Sequence, residues 1–465
     1  MPFRHLARSE QELPALAFEV SSFYSHAIDE NGKPNEFSKN LINAIFSRTG
    51  GPPILRVGGT SGDHGRYNAS LKTAVSHPAT EGGPRFKKPY LQVGPSYFKA
   101  YDSFPNAKFV FMVPLEHSNI ENSLAWAEKG LAVIGSRLDA LESGNEPDFY
   151  GGFTIPGYIK KYNAMREALV KKFPKQLGGT IFQAIDKAFN PPTPLPIDQV
   201  QGPLNTTGAI KQYAYHYYQH WGKYSRDILQ SKILNHTKTV NWMKVFAKKA
   251  RYLRYEHPTV PFLMDEVGVS MTPGEGHNNL ATALWNADYL LHCMSIDVTR
   301  VHMQQIVAPG FNMWEPVKSI WGPPLVRPNF YGMVFAADFI GRNPTRVHGM
   351  DLDGDFVAGY TAWENGKVAR IALFNLNMWY GGGNRPSITF NIKGLPDAVK
   401  SGKVNYLSAP TGAEANTTVT WSGLQWTYAS GGKAKQVKND AKTINVKNGV
   451  LSVAVDHSSA VIIDV

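Results

Sequence analysis

From about residue 15 to about residue 335, short apolar runs alternate with amphipathic segments and Gly/Pro punctuation. This is the pattern of repeated βα units. Eight runs read as strands, at residues 16–22, 54–57, 109–113, 140–144, 180–184, 212–217, 262–267 and 300–304. Helical spacing fills most of the gaps. In 158–170, for example, Tyr158, Ile159, Tyr162, Met165 and Leu169 share one face, and Pro156-Gly157 marks the start. Eight such units predict a (β/α)8 barrel in preference to an open sheet.

After about residue 340 the period changes to two. Residues 356–363 and 367–375 flank Asn365-Gly366, and residues 443–446 and 451–455 flank Asn448-Gly449, each a hairpin signal. The predicted fold is therefore α/β, a TIM barrel over 15–335 followed by an antiparallel β-sandwich over 336–465. Two Pro/Gly-rich insertions, 76–89 and 190–208, follow the second and fifth strands and are expected as loops over the active face.

Composition narrows the function classes. The 465 residues are 43% hydrophobic, enough for a full-sized core. The net charge of +11 favours polyanionic partners. Its basic residues are scattered in short groups such as Arg85-Phe86-Lys87-Lys88 and fit no nucleic-acid motif, so no nucleic-acid partner is expected. No apolar stretch reaches the roughly 18 residues of a membrane span. Met1 to His5 begin no signal-type segment, so the chain reads either as cytoplasmic or as secreted with its signal peptide removed. Sequons beginning at Asn68, Asn205, Asn235 and Asn416 favour secretion. The single cysteine, Cys293, sits in an apolar helical run and reads as structural. With no HExxH or CxxC pair, neither metal nor cofactor is expected, and Asp351-Leu352-Asp353-Gly354-Asp355 lacks the closing Glu of a calcium loop.

Two strands end in carboxylates. The apolar run 138–141 leads to Asn145-Glu146-Pro147, and residues 260–264 lead to Asp265-Glu266. Two carboxylates on one barrel rim suggest glycoside hydrolysis, with Glu146 as acid/base and Glu266 as nucleophile. Asp265 competes for the second role, but adjacent strand positions face opposite sides, so only one of the pair is expected at the mouth. The turn Gly58-Gly59-Thr60-Ser61-Gly62-Asp63 lacks the order of a phosphate loop and is expected to bring Arg56 and Asp63 to the site. Among Tyr213, Tyr215, Tyr217 and Tyr218, Tyr217 is the choice for a phenol that bonds the nucleophile.

With these residues placed, the sequence resembles glycoside hydrolase family 79, the β-glucuronidases and heparanases of the retaining (β/α)8 clan. The resemblance rests on Phe18-Glu19, Leu55-Arg56-Val57-Gly58-Gly59 with Asp63, Ser143 to Pro147, His216-Tyr217-Tyr218, Asp265-Glu266 and Pro328 to Gly332. It implies sugar contacts from Glu19, Asp63, Asn145 and Tyr217. It also implies a uronate carboxylate held by Tyr331 and the loop 268–279 beginning at Gly268, and a sandwich completed by N-terminal residues 1–14. The expected substrate is a carbohydrate ending in β-D-glucuronic acid, 4-O-methylated or not, and the expected action is exo. An endo-acting heparanase type and a non-catalytic carbohydrate-binding protein are the alternatives.

Overall fold

The computed structural model describes residues 12–82, 88–117, 119–188 and 195–465. Eight parallel strands close into a barrel: β1 (Pro14–Glu19), β2 (Ile54–Gly58), β3 (Lys108–Val113), β4 (Leu138–Ser143), β5 (Phe182–Lys187), β6 (Ile210–His220), β7 (Phe262–Ser270) and β8 (Arg300–Gln305). β1 pairs with both β2 and β8, which closes the ring. Helices cover the outer face, so nearly every strand residue is buried and the strands carry apolar runs without simple alternation.

Inside the barrel the period of two builds layers. Ala15, Ile54, Val110 and Ala140, from β1 to β4, form a small apolar plug. Two residues further along the same strands stand Arg56, Met112 and Glu142, so the alternation that buries the plug also raises a charged layer directly above it.

The sandwich begins at Thr345–Gly349. Val357–Glu364 and Lys367–Asn375 form the expected hairpin, with Asn365 and Gly366 both at positive φ, as a type I′ turn requires. Ser459–Asp464 and Ser401–Ser408 extend this sheet, while Ser387–Lys393 pairs with Val450–Asp456 in a second one. Ile371, Leu373, Val461 and Ile463 face Leu451, Val453 and Val455 between the sheets. The alternate residues Ala372, Phe374, Ala460 and Ile462 join the main core instead. One strand set thus serves two apolar interfaces.

Several expectations are revised. Residues 20–22 belong to the helix Val20–Ala27 and not to the first strand. Pro14 pairs with Val301 and Glu12 bonds Arg300, so residues 12–14 sit with the barrel; residues 1–11, the rest of the proposed N-terminal supplement, lie outside the described residues. The boundary placed at 335/336 falls inside the helix Asn329–Ile340, whose far end packs on the sandwich. The insertion 190–208 contains the helix Ile197–Leu204, which packs on the barrel's flank. Arg166 from the helix Ile155–Lys172 bonds the Leu204 carbonyl, and Tyr213 bonds the Gln201 carbonyl. It is the crossover helix between β5 and β6 and does not cover the active face; residues 190–194 lie outside the described residues. The insertion 76–89 does reach the loop after β8, through Ile320 N–H to the Thr80 carbonyl, with residues 83–87 outside the described set.

Candidate active site

Arg56 organises the barrel mouth. It is 1% exposed, and its guanidinium donates from Nε and Nη2 to the two oxygens of Glu142 at 2.8 and 2.6 Å. Nη2 also reaches Asn145 Oδ1 at 2.7 Å and Nη1 reaches Glu266 Oε2 at 2.8 Å. Burial alone works against this charge, but Glu142, Asp265 and Glu266 around it hold the guanidinium well above its ordinary range.

β4 ends at Ser143, and the chain then turns through Gly144 and Glu146, both at positive φ. For Glu146 (φ 46°, ψ 58°) this is the left-handed region that costs a non-glycine residue energy. The Glu146 N–H bonds the Asp186 carbonyl at 2.9 Å, which holds the turn. As a result Asn145 and Glu146, successive in sequence, both face the site. Asn145 spans Arg56 and Thr60, while Glu146 Oε1 lies 3.0 Å from His216 Nδ1.

On β6 the even positions point inward. Gln212 bonds Gln183, His216 meets Glu146, and Tyr218 donates to Glu266 Oε1 at 2.8 Å. The odd positions point outward. Tyr217 is stacked on Tyr289 with ring centroids 5.1 Å apart and donates to Gln219, away from the site. Tyr218, and not the expected Tyr217, therefore bonds Glu266: the aromatic cluster does reach the site, but its inward phase lies one residue further along the strand.

β7 carries the complementary irregularity. Its pairing with β6 runs from Tyr215↔Met264 to His216↔Glu266, and on its other edge from Val301↔Met264 to Met303↔Val267. One extra residue is accommodated at Asp265, a β-bulge. Strict alternation fails there, and Asp265 enters the mouth beside Glu266. Asp265 Oδ2 lies 3.2 Å from Arg56 Nε and accepts from Gln183 at 2.6 Å, and Oδ1 lies 3.3 Å from His216 Nε2. Burial opposes its ionisation, but Arg56 and His216 hold the Asp265 carboxyl far below the usual carboxylate range.

Facing charges set the other groups. Burial disfavours charge on His216, yet Glu266 and Asp265 carry it well above the ordinary histidine range, which makes it an imidazolium. Burial raises Glu146 above its ordinary value, the His216 hydrogen bond and charge oppose this, and Glu266 adds to the rise. Glu142, absent from the sequence reading, is pushed up to about 7 by burial against the pull of Arg56. The period-two phase that buries Ala140 was the signal that could have found it.

Closest oxygens and nitrogens of Glu146, His216 and Glu266 all lie within 4.8 Å of one another. Glu146 and Glu266 therefore bring carboxylate oxygens close together across the mouth, with His216 between them in the same cluster.

Glu19 is buried beneath this pair. Ser61 N–H donates to its Oε1 at 2.5 Å, and a Cβ on Gly59 would stand 1.7 Å from its Oε2, so only glycine fits there. Burial and then Glu266 push its carboxyl up to about 8, leaving it a proton to donate at neutral pH. Asp63 is brought close but is fully engaged by the protein. Its oxygens accept from Leu115 and Glu116 N–H at 2.5 and 2.9 Å, from Asn145 N–H at 3.0 Å and from Tyr150 Oη at 2.5 Å. With four donors on four lone-pair positions it is a clamp between the loops after β2, β3 and β4, and not the sugar ligand expected. Tyr331 also departs from expectation: its hydroxyl accepts from Trp426 N–H at 3.1 Å in the contact between barrel and sandwich. Gly268 lies within β7, not in a loop, and packs under the Tyr218 ring, where a Cβ would meet Cε1 at 2.6 Å.

Residues 359–462 match the glycosyl hydrolase family 79 C-terminal beta domain. The chain resembles glycoside hydrolase family 79. It is 26% identical to a beta-glucuronidase of Aspergillus niger over 97% of this chain and 90% of that one. A beta-glucuronidase of Neurospora crassa is 25% identical over 92% and 87%. In fold it is similar to a 4-O-alpha-L-rhamnosyl-beta-D-glucuronidase from Fusarium oxysporum 12S, with a TM-score of 0.80 and 19% identity over 98% and 96% of the two chains. Within this resemblance, the matched domain is the sandwich and the carboxylate cluster lies in the barrel.

Proposed function

We propose that this chain is a retaining exo-β-glucuronidase that releases terminal β-D-glucuronic acid from carbohydrate conjugates. The observation that carries the reading is the close, asymmetric carboxylate pair. Glu146 is partly buried, raised and bonded to an imidazolium; Glu266 has one oxygen on Arg56 and the other on Tyr218. The names of the two sequence relatives supply the sugar.

In the first step protonated Glu146 delivers its proton to the glycosidic oxygen while Glu266 attacks the anomeric carbon, so the leaving alcohol departs and a glycosyl ester forms. Esterification removes the Glu266 charge that had been raising the Glu146 carboxyl, and Glu146 becomes the base that takes a proton from water. That water cleaves the ester and regenerates Glu266. Neutral Glu19 and the free amide hydrogen of Asn145 are positioned as hydroxyl-binding groups.

The test compares nitrophenol release from para-nitrophenyl β-D-glucuronide with the β-glucoside and β-galactoside across about pH 3 to 8, with the first-formed anomer followed by NMR. Glucuronide turnover with β-glucuronic acid appearing first is expected. Preference for a neutral sugar, or an α product, would sink the reading.

A further inference from the structure

A second group of chemistry-bearing side chains stands on the Glu146 side of the mouth. His64 follows the short helix Thr60–Asp63 after β2, and Glu116-His117 follow β3. His64 Nε2 meets one oxygen of Glu116, and His117 Nε2 lies 3.3 Å from the other. The ligand atoms of all three residues lie within 4.8 Å of one another.

We propose that His64, Glu116 and His117 form a site for a divalent transition metal of the zinc type, with a fourth position open to solvent. Two imidazoles and one carboxylate are a donor set that zinc and cobalt favour. The 3.3 Å between His117 Nε2 and Glu116 Oε1 matches the edge of a tetrahedron whose bonds are about 2.0–2.1 Å, while His64 and Glu116 share a direct hydrogen bond that the metal would replace. The supporting backbone is already fixed. Glu116 N–H bonds Asp63, its carbonyl accepts from Lys161 Nζ at 2.7 Å, Arg66 donates to the His117 carbonyl, and the His117 ring lies flat on Tyr90 at 5.1 Å. Side-chain exposures of 13% for His64, 14% for Glu116 and 38% for His117 leave the group reachable from solvent. Arg66, whose guanidinium lies over Tyr90 at 5.3 Å, adds positive charge nearby. The site is therefore an exchangeable one at the rim and not a structural metal. Through Asp63, which bonds both Glu116 N–H and Asn145 N–H, it connects to the residue beside Glu146.

The experiment titrates the full chain with cobalt(II) alone and reads the visible absorption that tetrahedral cobalt gives, with the thermal midpoint in zinc as a second readout. One cobalt per chain and a zinc-dependent rise in midpoint are expected. His64→Gln and His117→Gln should each weaken binding by about tenfold or more while keeping glucuronide turnover in metal-free buffer, which shows that they fold. No saturable tetrahedral signal would overturn the proposal. So would binding that survives both variants and disappears with His216→Gln, since the metal would then belong to the Glu146–His216–Glu266 cluster.

Discussion

Asp265 and Glu266 are neighbours in sequence, yet both carboxylates reach the Arg56 guanidinium, at 3.2 and 2.8 Å. The bulge in β7 makes this possible, and it gives the two acids different partners: His216 and Gln183 complete the contacts of Asp265, and Tyr218 those of Glu266.

Asp265 supports His216 as an imidazolium, and His216 in turn favours the ionised form of Glu146. Glu266, Glu142 and Asp186 are the other acids facing this group, and Asp148 also acts on Glu146. In Asp265→Asn the imidazolium loses one of its two leading supports, and Glu146 holds its proton to higher pH. The alkaline limb of the kcat/KM profile should therefore move upward. An unmoved or lowered limb would refute the relay.

Tyr218 and Tyr217 differ by one position and face opposite sides of β6. Tyr218→Phe should lower kcat by about 10- to 100-fold, the range for a hydrogen bond to a charged group worth about 1.5–3 kcal/mol. Tyr217→Phe should leave kinetics unchanged and cost about 1 kcal/mol of stability through the lost bond to Gln219. Steady-state kinetics and urea unfolding of the two variants decide between the inward and outward assignments.

Glu146→Gln should slow hydrolysis of a glucuronide with a sugar leaving group by about 10²–10⁴-fold. The loss should be smaller with nitrophenol, which departs with little help from an acid. Glu266→Gln should abolish turnover of both, because neither leaving group replaces the nucleophile. Equal losses with both leaving groups in Glu146→Gln would contradict the acid role.

Glu19 supplies a stability test whose sign is fixed by linkage. Its carboxyl is at about 8 in the folded chain against an ordinary 4.5, so between those values the folded state keeps a proton that the unfolded state releases. Stability from this group falls as pH rises from 4.5 to 8 and levels off above. Glu19→Gln removes that dependence, and its thermal midpoint relative to the parent should climb across the window. A constant difference would show that Glu19 is not held neutral.

Local chemistry determined the succession of elements. Buried strands separated by amphipathic helices and Asn-Gly hairpins are each written within a few residues, because turn dihedrals and period are properties of short segments. The same locality made Glu146 and Glu266 legible at strand ends. What required the tertiary structure was phase and partnership. A bulge of one residue at Asp265 depends on pairing with two strands distant in sequence, and it alone admits both acids. The inward phase of β6 is set by what closes around it, with Gln183 inside and Phe246 and Tyr289 outside. Whether a polar residue is a substrate ligand or a clamp depends on how many donors folding brings to it: Asp63 is filled by four and Tyr331 is drawn to Trp426, which no spacing in the sequence expresses.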